Sequence, residues 1–437
     1  MEGREEGQMK EYQKCSMELL EFIRKSPTCF HAVENVGRML SEAGFVQLQE
    51  SEDWNLQPGG KYYAVRNDSS VIAFVIPGEA ERVKGFHIVA SHSDSPCFKV
   101  KEAPECVTEQ TYVKLNTEKY GGMILSTWLD RALSVAGRIA VRGENGIRTG
   151  LVNIDRDLCV IPNVAIHMNR DMNSGVAYNA QTDMLPLYGT CREGKKASLL
   201  QQIAEEAGVK TEDILGHDLF LYAREKGGLI GAEGEFVLSP RLDDLQCAFA
   251  SVKAFLQAEP ADYINVCAVF DNEEVGSCTR QGADSTFLED TLRRAAACVT
   301  TGDTGYLKLV AGSFLISADN AHAVHPNHPE KADPTNRPVL NGGIVIKFHG
   351  SQRYATDGVS AAMLKNWCMD ARVPFQTYAN RSDIPGGSTL GNLSMRHVSL
   401  AGADIGLPQL AMHSAVETAG VKDTAYAIAM LEKFYGE

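Results

Sequence analysis

Residues 264–277, INVCAVFDNEEVGS, place clustered carboxylates directly after a short and nearly continuous apolar run. The run at 264–270 is typical of a strand that is buried on both faces of a mainly parallel sheet. Asp271, Glu273 and Glu274 follow it, at the strand end where open α/β sheets bind their ligands. Adjacent carboxylates in such a position repel one another, so a metal ion or a proton must compensate them. A single segment of this kind is more often a solvated acidic turn, and the metal-site hypothesis therefore depends on the rest of the chain.

Two further apolar runs end in residue types that bind metals. The run at 86–90 leads into SHSDSP, which places His92 and Asp94 just beyond a predicted strand. The run at 314–318 ends at Asp319. A lone histidine beside a strand is more often a core or capping group than a ligand. The same pattern at three strand ends indicates a shared site more strongly than any one residue does.

Two more candidate positions lie outside the strand ends. Asp243 and Asp244 occur in SPRLDDLQCAF, directly before a predicted helix, and Asp243 alone has the ordinary explanation of a helix cap. His413 precedes the last predicted helix, at 423–434. With the strand-end residues they make a set of oxygen and imidazole ligands without thiolates, which suits zinc, cobalt or manganese in a hydrolytic site. Glu273 then remains for a general base, because adjacent side chains of an extended segment point apart.

The order of these residues predicts an inserted domain. At 437 residues the chain exceeds the ~250–300 residues at which single cores stop growing. Residues 1–95 and 240–437 alternate strands and helices, which predicts one α/β domain with a mixed, mainly parallel sheet and flanking helices. Residues 96–239 contain short β-like runs and Gly-rich turns, interrupted by predicted helices at 129–141 and 196–207. If the strand-end histidine and the aspartate pair share one site, this β-rich segment loops out of the α/β domain and returns.

Charge and targeting signals exclude several classes of partner. Lys and Arg number 42 and Asp and Glu 56, and the net charge of −14 argues against nucleic acid or an anionic membrane surface as a partner. The first residues lack the apolar core and cleavage site of a signal peptide, and no uncharged apolar run reaches the ~20 residues that span a bilayer. Eleven cysteines without a CxxC pair, among them Cys267, Cys298 and Cys368, are expected to be reduced core thiols. These features predict a cytoplasmic protein.

Seven segments carry a resemblance to a known family. They read, in chain order, SHSDSPCFKVK, PRLDDLQCA, FDNEEVGS, ISADNAHAVHPNH, IKFHGSQRYATD, GGSTLG and AMHSAVETAG. They resemble the successive signature blocks of the aspartyl aminopeptidase and aminopeptidase I family of metallopeptidases, and the likeness extends from about residue 27 to the carboxyl terminus. The central segments YGGMILSTWLDRALSVAGR and IPNVAIHMNR also look like the family. The resemblance implies a metallopeptidase α/β domain that is interrupted by an inserted domain.

The resemblance also implies a dinuclear metal site and an activity. Two divalent ions per subunit are expected, zinc in the first place and Co²⁺ or Mn²⁺ as alternatives. Asp243 would bridge the ions, His92 and Asp319 would complete one of them, and Glu274 and His413 the other. The implied activity is that of a metal-dependent aminopeptidase, which removes amino-terminal residues from peptides that have a free amino terminus.

Three further residues receive roles from the resemblance. Glu273 would be the general base that takes a proton from the attacking water, and Asp94 would orient His92. His167, within IPNVAIHMNR, matches a family histidine that reaches a neighbouring subunit's active site, whereas from the residues alone it is an ordinary surface or turn histidine. Family members assemble into tetrahedral dodecamers, which predicts a homo-oligomer in which residues 96–239 form an oligomerisation or lid domain.

A preference for acidic substrates depends on less specific features. Lys347, near the end of the predicted strand 343–348, would by resemblance meet an acidic side chain at the first residue of the substrate. The ordinary alternative is a surface lysine. Gly386, Gly387 and Ser388 would offer backbone N–H groups to the substrate, and an ordinary helix start is the alternative. The family also has members that prefer apolar residues, which leaves the preference open.

Two alternative functions and several departures from the family pattern stay open. The chain could be a non-catalytic cage or cargo protein of the same fold, or a dinuclear deacylase. Asp244 stands where many relatives have Asn, which adds a negative charge near the site. The block MHSAVETAG lacks the Arg-Glu pair that is common after MHS, so its role toward the substrate is open. His325, one of three histidines around Pro326, either packs in a loop or supports a ligand.

Overall fold

The computed structural model describes residues 2–144, 146–191 and 196–437, and the chain divides into two units. The first unit contains Met1–Asp94, Gly227–Met412 and Glu417–Glu437, and the second contains Ser95–Lys226 and His413–Val416. The second unit and the predicted insertion at 96–239 share residues 96–226. Residues 227–239 belong to the first unit, because their two strands extend a sheet of that unit.

Helices and strands are numbered in chain order over the described residues. The α-helices there are α1 (Glu2–Arg24), α2 (Cys29–Glu42), α3 (Leu199–Ala207), α4 (Leu242–Gln257), α5 (Phe287–Ala296), α6 (Gly302–Ala311), α7 (Gly358–Ala371), α8 (Leu390–Ser394) and α9 (Asp423–Tyr435). The strands there are β1 (Val46–Leu48), β2 (Lys61–Arg66), β3 (Ser70–Val75), β4 (Gly85–His92), β5 (Cys97–Thr108), β6 (Tyr112–Tyr120), β7 (Leu133–Gly143), β8 (Gly146–Asn153), β9 (Leu187–Thr190), β10 (Ile214–Ala223), β11 (Gly228–Ile230), β12 (Phe236–Ser239), β13 (Tyr263–Phe270), β14 (Phe314–Ala318), β15 (Ala321–His322), β16 (Ile344–Phe348), β17 (Phe375–Ala379), β18 (Ala401–Gly406), β19 (Pro408–Leu410) and β20 (Glu417–Gly420).

The first unit is built on a nine-stranded mixed sheet. Its strand order is β1-β2-β3-β13-β4-β14-β18-β16-β17. The pairs β1–β2, β13–β4, β4–β14, β14–β18 and β16–β17 are parallel, and the pairs β2–β3, β3–β13 and β18–β16 are antiparallel. The predicted α/β class with a mixed, mainly parallel sheet is confirmed.

Helices cover both faces of this sheet, which explains the continuous apolar run at 264–270. Along β13, Val266 and Ala268 pack into one core with α5, α6 and α8. Cys267 and Val269 pack into the opposite core with α1, α2, α4, α7 and α9. Because alternate side chains of a strand point to opposite faces, a strand that is covered on both sides needs apolar residues at nearly every position, and the buried Asn265 is the polar exception in β13.

A smaller sheet of the first unit carries a residue that becomes important at the site. Its five strands run in the order β11-β12-β20-β19-β15, and Glu417 begins β20.

The burial of the cysteines agrees in part with the prediction of reduced core thiols. Cys267 and Cys368 are buried, as expected, whereas Cys298 is partly exposed. Among the helices of the described residues, none combines the length and the apolar character that crossing a bilayer requires.

The second unit contains a six-stranded antiparallel sheet. Its order is β8-β7-β10-β5-β6-β9. Leu199 and Ile203 of α3 lie in the same apolar core as residues of this sheet. The predicted helix at 196–207 corresponds to α3, so its existence is confirmed and its start lies three residues later.

The helix predicted at 129–141 is wrong, because most of this segment is strand β7. Its apolar residues fit the two-residue period of a strand as well as helical spacing, and Leu133, Val135, Ile139 and Val141 all enter the core of the second unit. β7 is also paired on both sides, with β8 and β10. A Cβ atom at Gly137 would lie 2.0 Å from the carbonyl oxygen of Asp218 on β10, so the close pairing depends on glycine there.

Candidate metal centre

Three neighbouring parallel strands end at the same edge of the nine-stranded sheet. β13, β4 and β14 are adjacent, and Phe270 at the end of β13 is in register with His92 at the end of β4. β14 ends one residue before Asp319. The topology therefore brings the polar residues that follow the three apolar runs to one place, as the recurrence in the sequence indicated.

His92 is held with one ring nitrogen directed at two carboxylates. The imidazole is buried, and its Nδ1 lies 3.0 Å from the carbonyl oxygen of Asp94 and 3.4 Å from Asp94 Oδ1. Its Nε2 lies 3.5 Å from Asp243 Oδ1 and 3.9 Å from Asp319 Oδ1. A metal-binding histidine is commonly oriented in this way, with the second nitrogen bonded to a carbonyl or carboxylate.

Asp243 and Asp244 enter the site from the start of α4. The backbone of both residues is non-helical, although the helix begins at Leu242. The backbone N–H of Asp243 donates to Glu417 Oε2 at 3.0 Å, and Asp244 Oδ2 accepts the backbone N–H of His92 at 3.1 Å. The helix-cap explanation of Asp243 does not describe this geometry, because its side chain faces the imidazole instead.

Asp94 also positions the two glutamates. Its Oδ1 and Oδ2 accept the backbone N–H groups of Glu273 and Glu274 at 3.1 Å and 3.2 Å. Glu273 and Glu274 lie in a single 3₁₀ turn, Glu273–Val275, so the expectation of an extended segment is wrong. Both glutamates nevertheless offer oxygen atoms to one group with His92, because ligand atoms of the three residues all lie within 4.8 Å of one another.

The charges of the site require compensation. Burial, together with neighbouring carboxylates, raises the pKa of Glu273 to about 8 and raises the pKa of Glu274 and Asp244 well above the usual range. Burial alone would lower the pKa of His92, but the surrounding carboxylates outweigh it and raise that pKa. The carboxylates thus compete for whatever positive charge is present, which is the electrostatic condition that favours a bound cation.

The donor set and its spacing fit a divalent ion. His92, Asp243, Asp244 and Asp319 are all buried, and one ligand atom from each lies within 4.8 Å of the others. Ligands that bind an ion tetrahedrally at about 2.1 Å lie about 3.4 Å apart. The separations of His92 Nε2 from the two carboxylates, 3.5 Å and 3.9 Å, are close to this spacing.

Lys347 is neither a surface lysine nor an isolated charge. Its side chain is buried, and Nζ lies 3.7 Å from Asp319 Oδ2 and 5.5 Å from the centre of the Tyr354 ring. Burial would lower the pKa of Lys347, but Asp319 and other anionic groups raise it. The ammonium therefore stays charged beside a carboxylate of the site.

The remaining predicted residues lie in loops. Gly386 and Ser388 are held by Arg353, whose Nη1 donates to Gly386 O at 2.9 Å and whose carbonyl oxygen accepts Ser388 Oγ at 3.5 Å. Gly387 is exposed between them. Thr389 occupies the N-cap position of α8, but its hydroxyl donates to Asp404 instead of to the helix.

Three predicted histidines have different surroundings. His413 belongs to the second unit, where its Nδ1 lies 2.8 Å from Gly122 O and its backbone has a positive φ of 66°. His167 is exposed in the same unit. His325 is exposed in the first unit, and its Nδ1 accepts the backbone N–H of Asn327 at 3.2 Å, as in the loop-packing alternative.

A buried polar network behind the carboxylates was missed from the sequence. Asn320 Nδ2 donates to Gln409 Oε1 at 2.7 Å and to the carbonyl oxygen of Leu242 at 3.1 Å, and Gln409 Nε2 donates to Glu417 Oε1 at 3.4 Å. The network ties the backbone before Asp243 to the residue after Asp319. The only sequence signals were the position of Asn320 next to Asp319 and the occurrence of Glu417 in the AMHSAVETAG block.

A buried imidazole with several carboxylates at the carboxyl edge of a mixed α/β sheet, with a further glutamate beside them, defines a metal-dependent hydrolase. Residues 22–435 match the family described as aminopeptidase I zinc metalloprotease (M18), and the chain belongs to this family. It is accordingly a metalloaminopeptidase, a hydrolase that acts on peptide bonds.

Individual relatives cover almost the whole chain. A probable M18 family aminopeptidase 2 from Clostridium novyi (strain NT) is 47% identical over 431 residues, which are 98% of this chain and 100% of the relative. The cryo-EM structure of the Ape4 and Nbr1 complex contains a chain with a TM-score of 0.94 and 36% identity, covering 98% of this chain and 86% of that one. The structure of the S. cerevesiae mApe1 dodecamer has a TM-score of 0.85 and 28% identity, with 97% of each chain covered.

Proposed function

We propose that this aminopeptidase uses two divalent ions, zinc in the first place, to remove amino-terminal residues from peptides, with a preference for Asp and Glu. The observation that carries the proposal is the buried group in which His92 Nε2 faces Asp243 and Asp319 while Glu273 lies beside them. The proposed ligands are His92, Asp243, Glu274, Asp319 and His413.

Charge balance supports two ions over one. Six carboxylates gather at the site, from Asp94, Asp243, Asp244, Glu273, Glu274 and Asp319, and the ammonium of Lys347 contacts one of them. Two divalent ions and the Lys347 ammonium would leave this group with one negative charge, which fits an ionised Glu273 as the general base. A single ion leaves two more negative charges in a buried position, which is unfavourable.

The chemistry divides between the ions and Glu273. When bound, the ions supply Lewis acidity toward the scissile carbonyl and lower the pKa of water. Glu273 takes the proton of the attacking water and returns it to the leaving amine, a role for which a carboxylate beside the proposed ligands is well placed. Asp94 keeps Glu273 and His92 in place, since it accepts the N–H of Glu273 and contacts the His92 ring.

The acidic preference is supported by the position of Lys347. Its ammonium lies 3.7 Å from Asp319 Oδ2, so a charged group that acidic side chains attract is next to a proposed ligand. When Asp319 binds an ion, its charge is shared with that ion and the ammonium gains capacity for a second carboxylate. Gly386, Gly387 and Ser388 are proposed to offer backbone groups to the substrate.

A homo-oligomer is part of the proposal. The dodecamer named for the S. cerevesiae relative supports a dodecamer here, for which we propose a tetrahedral arrangement with residues 96–239 as the oligomerisation or lid domain. His167 is exposed between Ile166 and Met168, which are 47% and 82% exposed, so this segment has apolar surface for a second copy of the chain to cover. In that arrangement His167 reaches the neighbouring active site.

The test is a metal-controlled substrate panel. The purified chain is treated with a chelator, resupplied with Zn²⁺, Co²⁺ or Mn²⁺, and assayed on Asp-, Glu- and Leu-linked reporters and on an acetylated Asp reporter. We expect the peptidase activity to be lost on chelation and to return when metal is added. We also expect the Asp and Glu reporters to be cleaved faster than the Leu reporter. Faster cleavage of Leu would refute the acidic preference. Cleavage of only the acetylated reporter would indicate a deacylase, and inertness of all four a non-catalytic cage protein.

A further inference from the structure

Asp244 has a buried carboxylate oxygen, Oδ1, that accepts no hydrogen bond from the residues that the structure describes. The residue is fully buried, and its Oδ2 accepts the backbone N–H of His92 at 3.1 Å. A buried carboxylate oxygen without a donor is unfavourable unless a cation or a proton faces it.

Two possible donors in this part of the site have other acceptors, and the Cys247 thiol is in addition a weak hydrogen-bond partner of the Asp244 side chain. The thiol of Cys247, one helical turn along α4, donates to Asn320 Oδ1 at 3.0 Å. The ammonium of Lys347 lies beside Asp319, at 3.7 Å. The remaining direction is toward the proposed ligands, because Asp244 offers an oxygen atom within 4.8 Å of ligand atoms of His92, Asp243 and Asp319.

A fourth protein group changes which ion this position accommodates. Zinc in catalytic sites typically takes three protein ligands and leaves one place for water or substrate, whereas octahedral ions such as Mn²⁺ accept six ligands and favour carboxylate oxygen. Three carboxylates and one imidazole therefore leave two places on an octahedral ion. The charges agree with this arrangement, because three carboxylates and the Lys347 ammonium are neutralised by one divalent cation.

We propose that Asp244 Oδ1 is a further ligand of the ion that His92, Asp243 and Asp319 hold, and that it enables this position to bind Mn²⁺ in addition to Zn²⁺. The proposal rests on the proposed function, since it takes the same metal site as given. In this proposal, the carboxylate of Asp244 increases the affinity of the site for a hard, oxygen-preferring cation such as Mn²⁺ more than its affinity for Zn²⁺.

The test compares Asp244→Asn with the full-length wild-type protein. Asn keeps an oxygen to accept the His92 N–H, so the change removes one carboxylate oxygen at nearly constant shape. Dissociation constants for Mn²⁺ and Zn²⁺ are measured by chelator competition, and the water molecules on bound Mn²⁺ are counted by electron paramagnetic resonance in ¹⁷O-labelled water. We expect Mn²⁺ affinity for one of two ions to fall about tenfold or more, Zn²⁺ affinity to change less than about threefold, and one additional water to appear on Mn²⁺. If Asp244→Asn does not fold, Asp244→Ala takes its place, with the same two dissociation constants and the same water count measured.

The control is Asp271→Asn, which alters another buried acid that is outside the group around His92. It is expected to leave both affinities and the water count unchanged. If wild-type protein binds two ions and Asp244→Asn binds Mn²⁺ with unchanged affinity and water count, the role of Asp244 is overturned while the proposed function stands. If wild-type protein binds no ion, the proposed function fails first.

Discussion

The side chain of Glu417 accepts a hydrogen bond from the backbone N–H of Asp243, with 3.0 Å between N and Oε2. Glu417 is 2% exposed, and its other oxygen accepts Gln409 Nε2 at 3.4 Å. The two carboxyl oxygens therefore hold a proposed metal ligand at one side and a buried amide network at the other. Both contacts use Glu417 as an acceptor, which an amide in its place can only half reproduce.

Glu417→Gln is expected to weaken metal binding about 10- to 100-fold, because residues that orient metal ligands have effects of this size. One oxygen of Gln keeps a contact, whereas its NH₂ group meets a donor. Chelator competition with Zn²⁺ measures the loss. Glu432→Gln, an exposed acid on α9, is the matched control and should leave the affinity unchanged. Equal affinity of Glu417→Gln and wild type would show that Asp243 needs no such support.

Glu273 and Glu274 are neighbours with different proposed roles, so the same substitution should have different effects. Glu273→Gln is expected to lower kcat about 10²- to 10⁴-fold and to keep two ions per subunit, because it removes the proton acceptor alone. Glu274→Gln is expected to lose an ion as well as activity. Metal analysis of the purified variants, with steady-state kinetics, separates them. Near-normal turnover of Glu273→Gln, or loss of an ion from it, would contradict the assignment.

The strands that build the site could be predicted from the sequence for a physical reason. A strand covered on both faces is apolar at most of its positions, so runs such as 264–270 and 314–318 are recognisable without knowledge of their neighbours. His92 and Asp319 follow from those runs, since parallel strands end at a common edge. Their meeting with Asp243 could be expected only on the assumption of a shared site.

Other features depend on contacts between distant segments and could not be predicted in this way. β7 resembled a helix because its apolar spacing fits both periods, and pairing with β8 and β10 decides the outcome. The bond from Asp243 to Glu417 joins residues 174 positions apart, and nothing local to either one indicates it. The burial of Lys347 could not be predicted either, because its ion-pair partner Asp319 lies near it only in the folded chain.

Asp271, the acid of the opening segment without a catalytic role, should make stability depend on pH. It is buried, and burial together with Asp94 raises its pKa to about 7. Below about pH 4 the carboxyl is protonated in both the folded and unfolded states; between about pH 4 and 7 only the folded state holds the proton, so stability falls as pH rises. Above about pH 7 the carboxylate is ionised in both states, and the full loss of stability from burying its charge remains.

Asp271→Asn removes this dependence. Relative to wild type, the free energy of unfolding of the metal-free variant is expected to increase between pH 5 and pH 8, by at most about 3 kcal/mol. Urea unfolding at the two pH values measures the difference. Asp53→Asn, at an exposed acid, is the control and should show no such change. A difference between Asp271→Asn and wild type that is the same at both pH values would contradict the raised pKa.

Lys347 is the residue on which the acidic preference depends most directly. Lys347→Met keeps the length of the side chain and removes the charge that lies 3.7 Å from Asp319 Oδ2. If the ammonium binds the substrate carboxylate, kcat/KM for the Asp reporter should fall about 10- to 100-fold, the value of one charged hydrogen bond, while the Leu reporter changes little. Lys308→Met, at an exposed lysine of α6, should leave both reporters unaffected. An equal fall for Asp and Leu, accompanied by weaker zinc binding, would instead restrict Lys347 to holding Asp319 in place, and the acidic preference would then need a different cation.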